Sequence, residues 1–172
     1  MIAKLKVLVA DPNAYMAGLT AAMLRGIGAQ TVTEVHDSDA AMLALERDQF
    51  DALVIDDTLA PLAGIEITRK LRAADGAANR LIPVIMVFVE ASRTRIEAAR
   101  DAGVTEFIKK PMSAAILEAR LAAAIANPRP FVTAPAYVGP DRRRRVVEVK
   151  GEDRRTSVDQ AHQNGRTLTG QL

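Results

Sequence analysis

Residues 50–72 read FDALVIDDTLAPLAGIEITRKLR. From Asp51 to Asp56 (DALVID) the run is nearly all apolar and rich in Val, Ile and Leu, the composition of a strand covered on both faces. A turn follows, and the spacing predicts a helix from about Ile65 to Ala73. The alternation repeats outward in both directions. Upstream, Lys4 to Ala10 (KLKVLVA) reads as a strand, and Ala14 to Ile27 as a helix with Met16, Leu19, Met23 and Leu24 on one face. Thr31 to Val35 is a second strand, and Ser38 or Asp39 is placed to cap the helix that carries Met42, Leu43 and Leu45. Downstream, Ile82 to Val89 is the fourth strand, a helix near Thr94 to Ala102 ends at Gly103, Val104 to Ile108 is the fifth strand, and Ser113 caps a last helix to about Ala126. Five apolar strands alternating with five helices require parallel pairing with helices on both faces. The expected fold is therefore a doubly wound, five-stranded α/β sheet.

The chain has 172 residues, 49% of them apolar, room for one substantial core and an appendage. Residues 1–126 hold 14 Lys+Arg against 16 Asp+Glu, whereas 127–172 hold 9 against 5, so a mildly acidic body precedes a basic tail. The absence of cysteine excludes disulfides and thiolate metal sites, and two distant histidines, His36 and His162, do not suit a His-based site. The apolar run before Asp11 is too short for a signal segment or a membrane span, so a cytoplasmic protein is expected. After Asn127 the periodicity ends: Pro128, Pro130, Pro135 and Pro140 punctuate the chain before the charges begin. The reading is a domain over 1–126, a Pro-rich linker over 127–138 and a mostly disordered arginine-rich tail over 139–172, in which Val146 to Lys150 has the pattern of a short strand.

In an open parallel sheet, ligands sit at the carboxyl ends of the strands where strand order reverses. Those ends carry Asp11, Asp56 and Asp57, Phe88, and Lys109, Lys110 and Pro111. Carboxylates from two strands facing a lysine suit a hard cation and a phosphoryl group. The stretches VLVADPNAYMAGL, FDALVIDDTLAPLAGIEITRKLR, IPVIMV and AARDAGVTEFIKKPM make residues 4–126 resemble a response-regulator receiver domain, the phospho-aspartate module of two-component signalling. The resemblance places Asp56 at the phosphoacceptor, five residues after Asp51 and eight before Gly64. It places Lys110 at the phosphoryl-binding lysine, Phe88 and Phe107 at the switch positions, and Mg²⁺ on Asp11, Asp56 and the Thr58 backbone. A histidine kinase or other protein partner, docking near Arg93 to Leu117, and a non-enzymatic role are further implications.

Three positions depart from the family pattern. Receivers usually end the first strand with two acids, but Ala10 precedes Asp11 here; the fourth strand ends in Phe88 rather than Ser or Thr; and Ala60 stands where a proline is usual, displaced to Pro61. Weakened metal binding and impaired phospho-switching are the expectation, with Asp56 either a working acceptor or a residual carboxylate paired with Lys110. Asp57 reads as an exposed turn residue and Lys109 as a solvated neighbour.

The tail reads Gly139-Pro140-Asp141-Arg142-Arg143-Arg144-Arg145, and Gly151-Glu152-Asp153-Arg154-Arg155 starts twelve residues later. Arginine's planar fork grips phosphate or the Hoogsteen edge of guanine, and aspartate accepts from guanine's donor edge. A plain solvated charge run is the alternative. A receiver with such a tail also resembles chemotaxis-regulator-like effectors of cyclic di-GMP that act at the flagellar motor or attachment machinery. That resemblance implies a ligand site made of Tyr137, Asp141, Arg142, Arg143, Arg144, Arg145, Asp153, Arg154 and Arg155. Nucleic acid is a weaker candidate partner, since residues 127–172 hold one Tyr and one Phe and no helix-turn-helix pattern follows. An anionic-membrane anchor would need an adjacent apolar helix or lipidation signal.

Overall fold

The computed structural model describes residues 4–126, 130–134 and 137–141. Five parallel strands, β1 (Lys6–Ala10), β2 (Thr31–Val35), β3 (Ala52–Asp56), β4 (Val84–Phe88) and β5 (Glu106–Lys109), lie in the order β2-β1-β3-β4-β5. They alternate with α1 (Ala14–Gly26), α2 (Ser38–Arg47), α3 (Gly64–Ala73), α4 (Arg93–Asp101) and α5 (Ala114–Ala126). Successive side chains of a strand point to opposite faces, which divides the core in two. Leu8, Ala10, Leu53, Ile55, Met86 and Phe88 pack with Ala41 and Leu45 of α2, Ile67 and Leu71 of α3 and Ala99 of α4. On the other face Val7, Val9, Val54, Ile85 and Val87 pack with Ala17 and Leu24 of α1 and Leu117 and Leu121 of α5. No described helix is long and apolar enough to cross a membrane.

Two local expectations are corrected. The buried face of α1 is Ala17, Thr20, Ala21 and Leu24, while Leu19 is exposed and Met16 and Met23 are half-buried. Small side chains bring this helix close to the sheet, so bulk was a poor guide to its inward face. The α2 cap is Asp37, which accepts from the Ala40 amide at 2.7 Å. Ser38 is instead buried, its hydroxyl accepting from the Leu62 amide at 3.0 Å and its own amide donating to the Ala60 carbonyl at 2.8 Å. It thereby ties α2 to the loop after β3. Ser113 caps α5 as expected, accepting from the Ile116 amide.

The stretch read as a linker holds an antiparallel pair, β6 (Phe131–Ala134) and β7 (Tyr137–Pro140), with Phe131 opposite Pro140 and Ala134 opposite Tyr137. The Asp141 amide donates to the Pro130 carbonyl at 2.7 Å and closes the hairpin's open end. Gly139 and Pro140, read as the start of the disordered tail, are buried strand residues. A Cβ on Gly139 would lie 2.7 Å from the Gly103 Cα, and one on Gly103 2.7 Å from the Val138 carbonyl, so two glycines permit the hairpin to seat where α4 meets β5. Arg72, only 2% exposed, completes that seat. It donates to the carbonyls of Gly103, Arg80 and Ile82 and lies 5.0 Å from the centre of the Phe131 ring. Burial lowers its pKa to about 10, partly offset by Tyr137.

Candidate functional site

Strand order reverses at β1, which has β2 on one side and β3 on the other, so the carboxyl ends of β1 and β3 flank a crevice. Asp11 follows β1 and Asp56 ends β3. Lys110, directly after β5, reaches across to both: its ammonium donates to Asp11 Oδ2 at 2.8 Å and to Asp56 Oδ2 at 2.6 Å. Both carboxyl side chains are at least nine-tenths buried, as charged groups are found only when paired. Burial alone would lower the Lys110 pKa, but the hydrogen bonds it donates to Asp11 and Asp56 and the charges of both acids outweigh it and leave it raised. The ammonium therefore stays charged in the pocket.

The remaining oxygens are also held. Asp11 Oδ1 accepts from the Asn13 amide at 2.9 Å, and Asp56 Oδ1 accepts from the Thr58 amide at 2.8 Å and the Thr58 hydroxyl at 2.5 Å. Gly64 lets α3 begin against this turn, since a Cβ there would sit 2.6 Å from the Asp56 carbonyl. The Lys110–Pro111 peptide bond is cis. Lys109 is exposed, as its solvated reading requires.

The sequence-predicted residues Asp11, Asp56, Thr58 and Lys110 are thus brought together. The Asp11 and Asp56 carboxylates are of the kind that holds Mg²⁺, a hard ion taken by one or two carboxylates and water. The acid missing at Ala10 is not replaced: Ala10 is fully buried in the core, and the described residues contain no cluster of three or more acids or histidines placed to hold a metal. Phe88 is fully buried at the end of β4, its ring 6.1 Å from that of the half-buried Phe107 and tilted by 37°. Arg100 of α4 lies 5.9 Å from the centre of the Phe107 ring.

Asp57 contradicts its reading as an exposed turn residue. It is 3% exposed, because its backbone continues β3, with its amide donating to the Val87 carbonyl, and turns the side chain inward towards α4. There Arg95 lies 2.5 Å from Asp57 Oδ2, yet neither Asp57 oxygen has a donor in hydrogen-bonding alignment. Burial raises the Asp57 pKa, Arg95 opposes that, and Asp56 adds to it. A second acid directly after Asp56 was the available signal for this pair. Nothing local in the sequence pointed to Arg95.

The tail candidates divide. Tyr137 belongs to β7, its hydroxyl donating to the Pro140 carbonyl at 2.7 Å, so it is committed to the hairpin rather than extended with the tail. Asp141 closes the hairpin. Arg142, Arg143, Arg144, Arg145, Asp153, Arg154, Arg155 and the strand read over Val146 to Lys150 lie outside the described residues.

Residues 7–122 match the family model described as the response regulator receiver domain. The chain is 32% identical over 117 residues to the chemotaxis protein CheY of Pseudomonas aeruginosa, covering 68% of this chain and 93% of that one. It is equally identical over the same length to CheY-3 of Vibrio cholerae, 88% of which is covered. Among solved structures it resembles the receiver domain of the sensor histidine kinase PA1611 of Pseudomonas aeruginosa, which holds a magnesium ion in its active-site cleft. That likeness has 31% identity, a TM-score of 0.65 and coverage of 72% of this chain and 99% of that one. The receiver domain of the Francisella response regulator 1452 is similar at 25% identity and a TM-score of 0.64, covering 72% and 98%.

Proposed function

The chain belongs to the response-regulator receiver family, and from that premise we propose that it is a signalling module that accepts a phosphoryl group on Asp56. One observation carries the reading: a single buried ammonium, Lys110, donates at once to Asp56 and Asp11. In the transfer an Asp56 carboxylate oxygen forms a bond to phosphorus as the donor's bond breaks, P–N in a phosphohistidine or P–O in an acyl phosphate. Lys110 balances the charge gathering on the transferred oxygens. Asp11, Asp56 and the Thr58 carbonyl would hold Mg²⁺, which when bound screens the same charge. We read the output as non-enzymatic and carried by a protein partner, as the family resemblance implies. The test is incubation with acetyl phosphate and Mg²⁺ followed by mass spectrometry. One added phosphoryl group, lost in Asp56→Asn, supports the reading; no Mg²⁺-dependent addition refutes it.

A second reading is favoured by Ala10, by Phe88 and by the doubled Gly-x-Asp-Arg-Arg unit. In it the chain is an adaptor with a weakened phospho-switch, and the arginine tail takes cyclic di-GMP as its input and adjusts docking to a partner. Calorimetry on the full chain and on a 1–141 truncation, which keeps the hairpin whole, separates the two. Cyclic di-GMP binding by the full chain alone supports this reading, and equal or absent binding by both removes it.

A further inference from the structure

Helix α4 has little apolar anchorage. Ala99 is its only fully buried residue, with Ile96 and Ala98 half-buried, so hydrophobic burial fixes it weakly against the sheet. Two arginines supply other attachments: Arg100 lies near the Phe107 ring, and Arg95 spans to Asp57. The second is unusual in its imbalance. Asp57's side chain is 1% exposed whereas Arg95's is 45% exposed, and the 2.5 Å approach lacks hydrogen-bond alignment. An arginine fork pairs best with two oxygens in its own plane, whereas this contact reaches only Asp57 Oδ2. The adjoining residue is Asp56, close enough for its charge to act on Asp57.

We propose that Arg95 is the positioning residue through which α4 reads the charge on Asp56: its guanidinium rests on Asp57 when Asp56 is unmodified and transfers to a phosphoryl group there. The proposal rests on Asp56 being the phosphoacceptor. A phosphoryl group brings about −1.5 to −2 charges and three strong acceptor oxygens, a better partner for a guanidinium than one misaligned carboxylate. Because Phe88 gives β4 no hydroxyl with which to meet that group, an arm from α4 takes the place of a contact from the strand. Since α4 has so few apolar attachments, moving Arg95 shifts the helix, and α4 with the loop before it becomes the surface that reports the signal.

The test uses the full chain with Mg²⁺ and beryllofluoride, a non-covalent stand-in for the phosphoryl group, and reads amide hydrogen exchange over residues 93–101 together with beryllofluoride affinity. Without the mimic, Arg95→Ala is expected to speed exchange in α4 roughly fivefold, the upper end of what a half-exposed ion pair sustains, with β3 exchange unchanged. With it, wild-type α4 changes protection, Arg95→Ala does not and binds it more weakly, and Arg95→Lys recovers part of both responses. Binding by wild type without any change in α4, or an identical response in Arg95→Ala, overturns the proposal and leaves the phosphoacceptor reading standing. Failure of wild type to bind the mimic overturns both.

Discussion

Replacing Phe88 with threonine restores the side-chain hydroxyl that receivers usually carry at the end of the fourth strand, and the structure sets its cost. Phe88 has no exposed surface and packs in the cluster with Leu53, Ile55, Met86 and Ile67, its ring 6.1 Å from Phe107. Truncating a buried phenylalanine to alanine costs about 3–5 kcal/mol through lost burial and the cavity left behind. Threonine refills part of that space but brings a hydroxyl with no assured partner in the unmodified protein, so a loss of about 3 kcal/mol is expected. For a chain of this size, about 2–4 °C per kcal/mol translates that into a melting point roughly 6–12 °C lower. Thermal unfolding by circular dichroism measures the first effect. The second is functional: the new hydroxyl gives an anion on Asp56 a donor, so saturating beryllofluoride with Mg²⁺ should recover more stability in Phe88→Thr than in wild type. A melting point within 2 °C of wild type would refute the claim that the ring fills its slot. An unchanged increment from beryllofluoride would refute the claim that the slot faces the acceptor.

Three other substitutions probe the elements around the site. Gly139→Ala places a methyl group 2.6 Å from the Tyr137 hydroxyl and 2.7 Å from the Gly103 Cα; an overpacking cost of about 1–3 kcal/mol should undock the hairpin and speed exchange of its amides while leaving β1 and β3 protected. Arg72→Met strands the carbonyls of Gly103, Arg80 and Ile82, and at about 1–3 kcal/mol for each buried group left unsatisfied the urea midpoint should fall by the equivalent of ~3 kcal/mol or more with an unchanged slope. Asp57→Asn tests a sign: a carboxyl whose folded pKa is raised stabilises the fold below its ordinary value of 3.8 and loses that contribution as pH rises through the folded value. Relative to wild type the variant should therefore gain stability as pH is raised across that window in urea titrations, and a difference that is flat or of opposite sign would contradict the assignment.

The fold and the centre of the site were legible for the same reason. Parallel strands covered on both faces are written as unbroken apolar runs, and the residues ending those runs must gather at one edge of the sheet, so Asp11, Asp56 and Lys110 could be placed together from a line of text. Asp57 was misread because a charged residue one step past a strand end looks solvated; its backbone continues β3 and its buried side chain meets Arg95, 38 positions later, on a helix. The hairpin was missed for a related cause. Proline-rich spacing around four-residue strands carries no periodicity long enough to register, and what seats them is supplied from elsewhere: a bare Gly103 backbone, and Arg72, whose place in an amphipathic helix gives no sign that its charge is buried under Phe131. Both misses are arginines acting at a distance. Arg72 holds its partners with donors directed at three carbonyls, which suits a permanent joint. Arg95 holds its partner through one unaligned approach while half exposed to solvent, which suits a contact made to be exchanged.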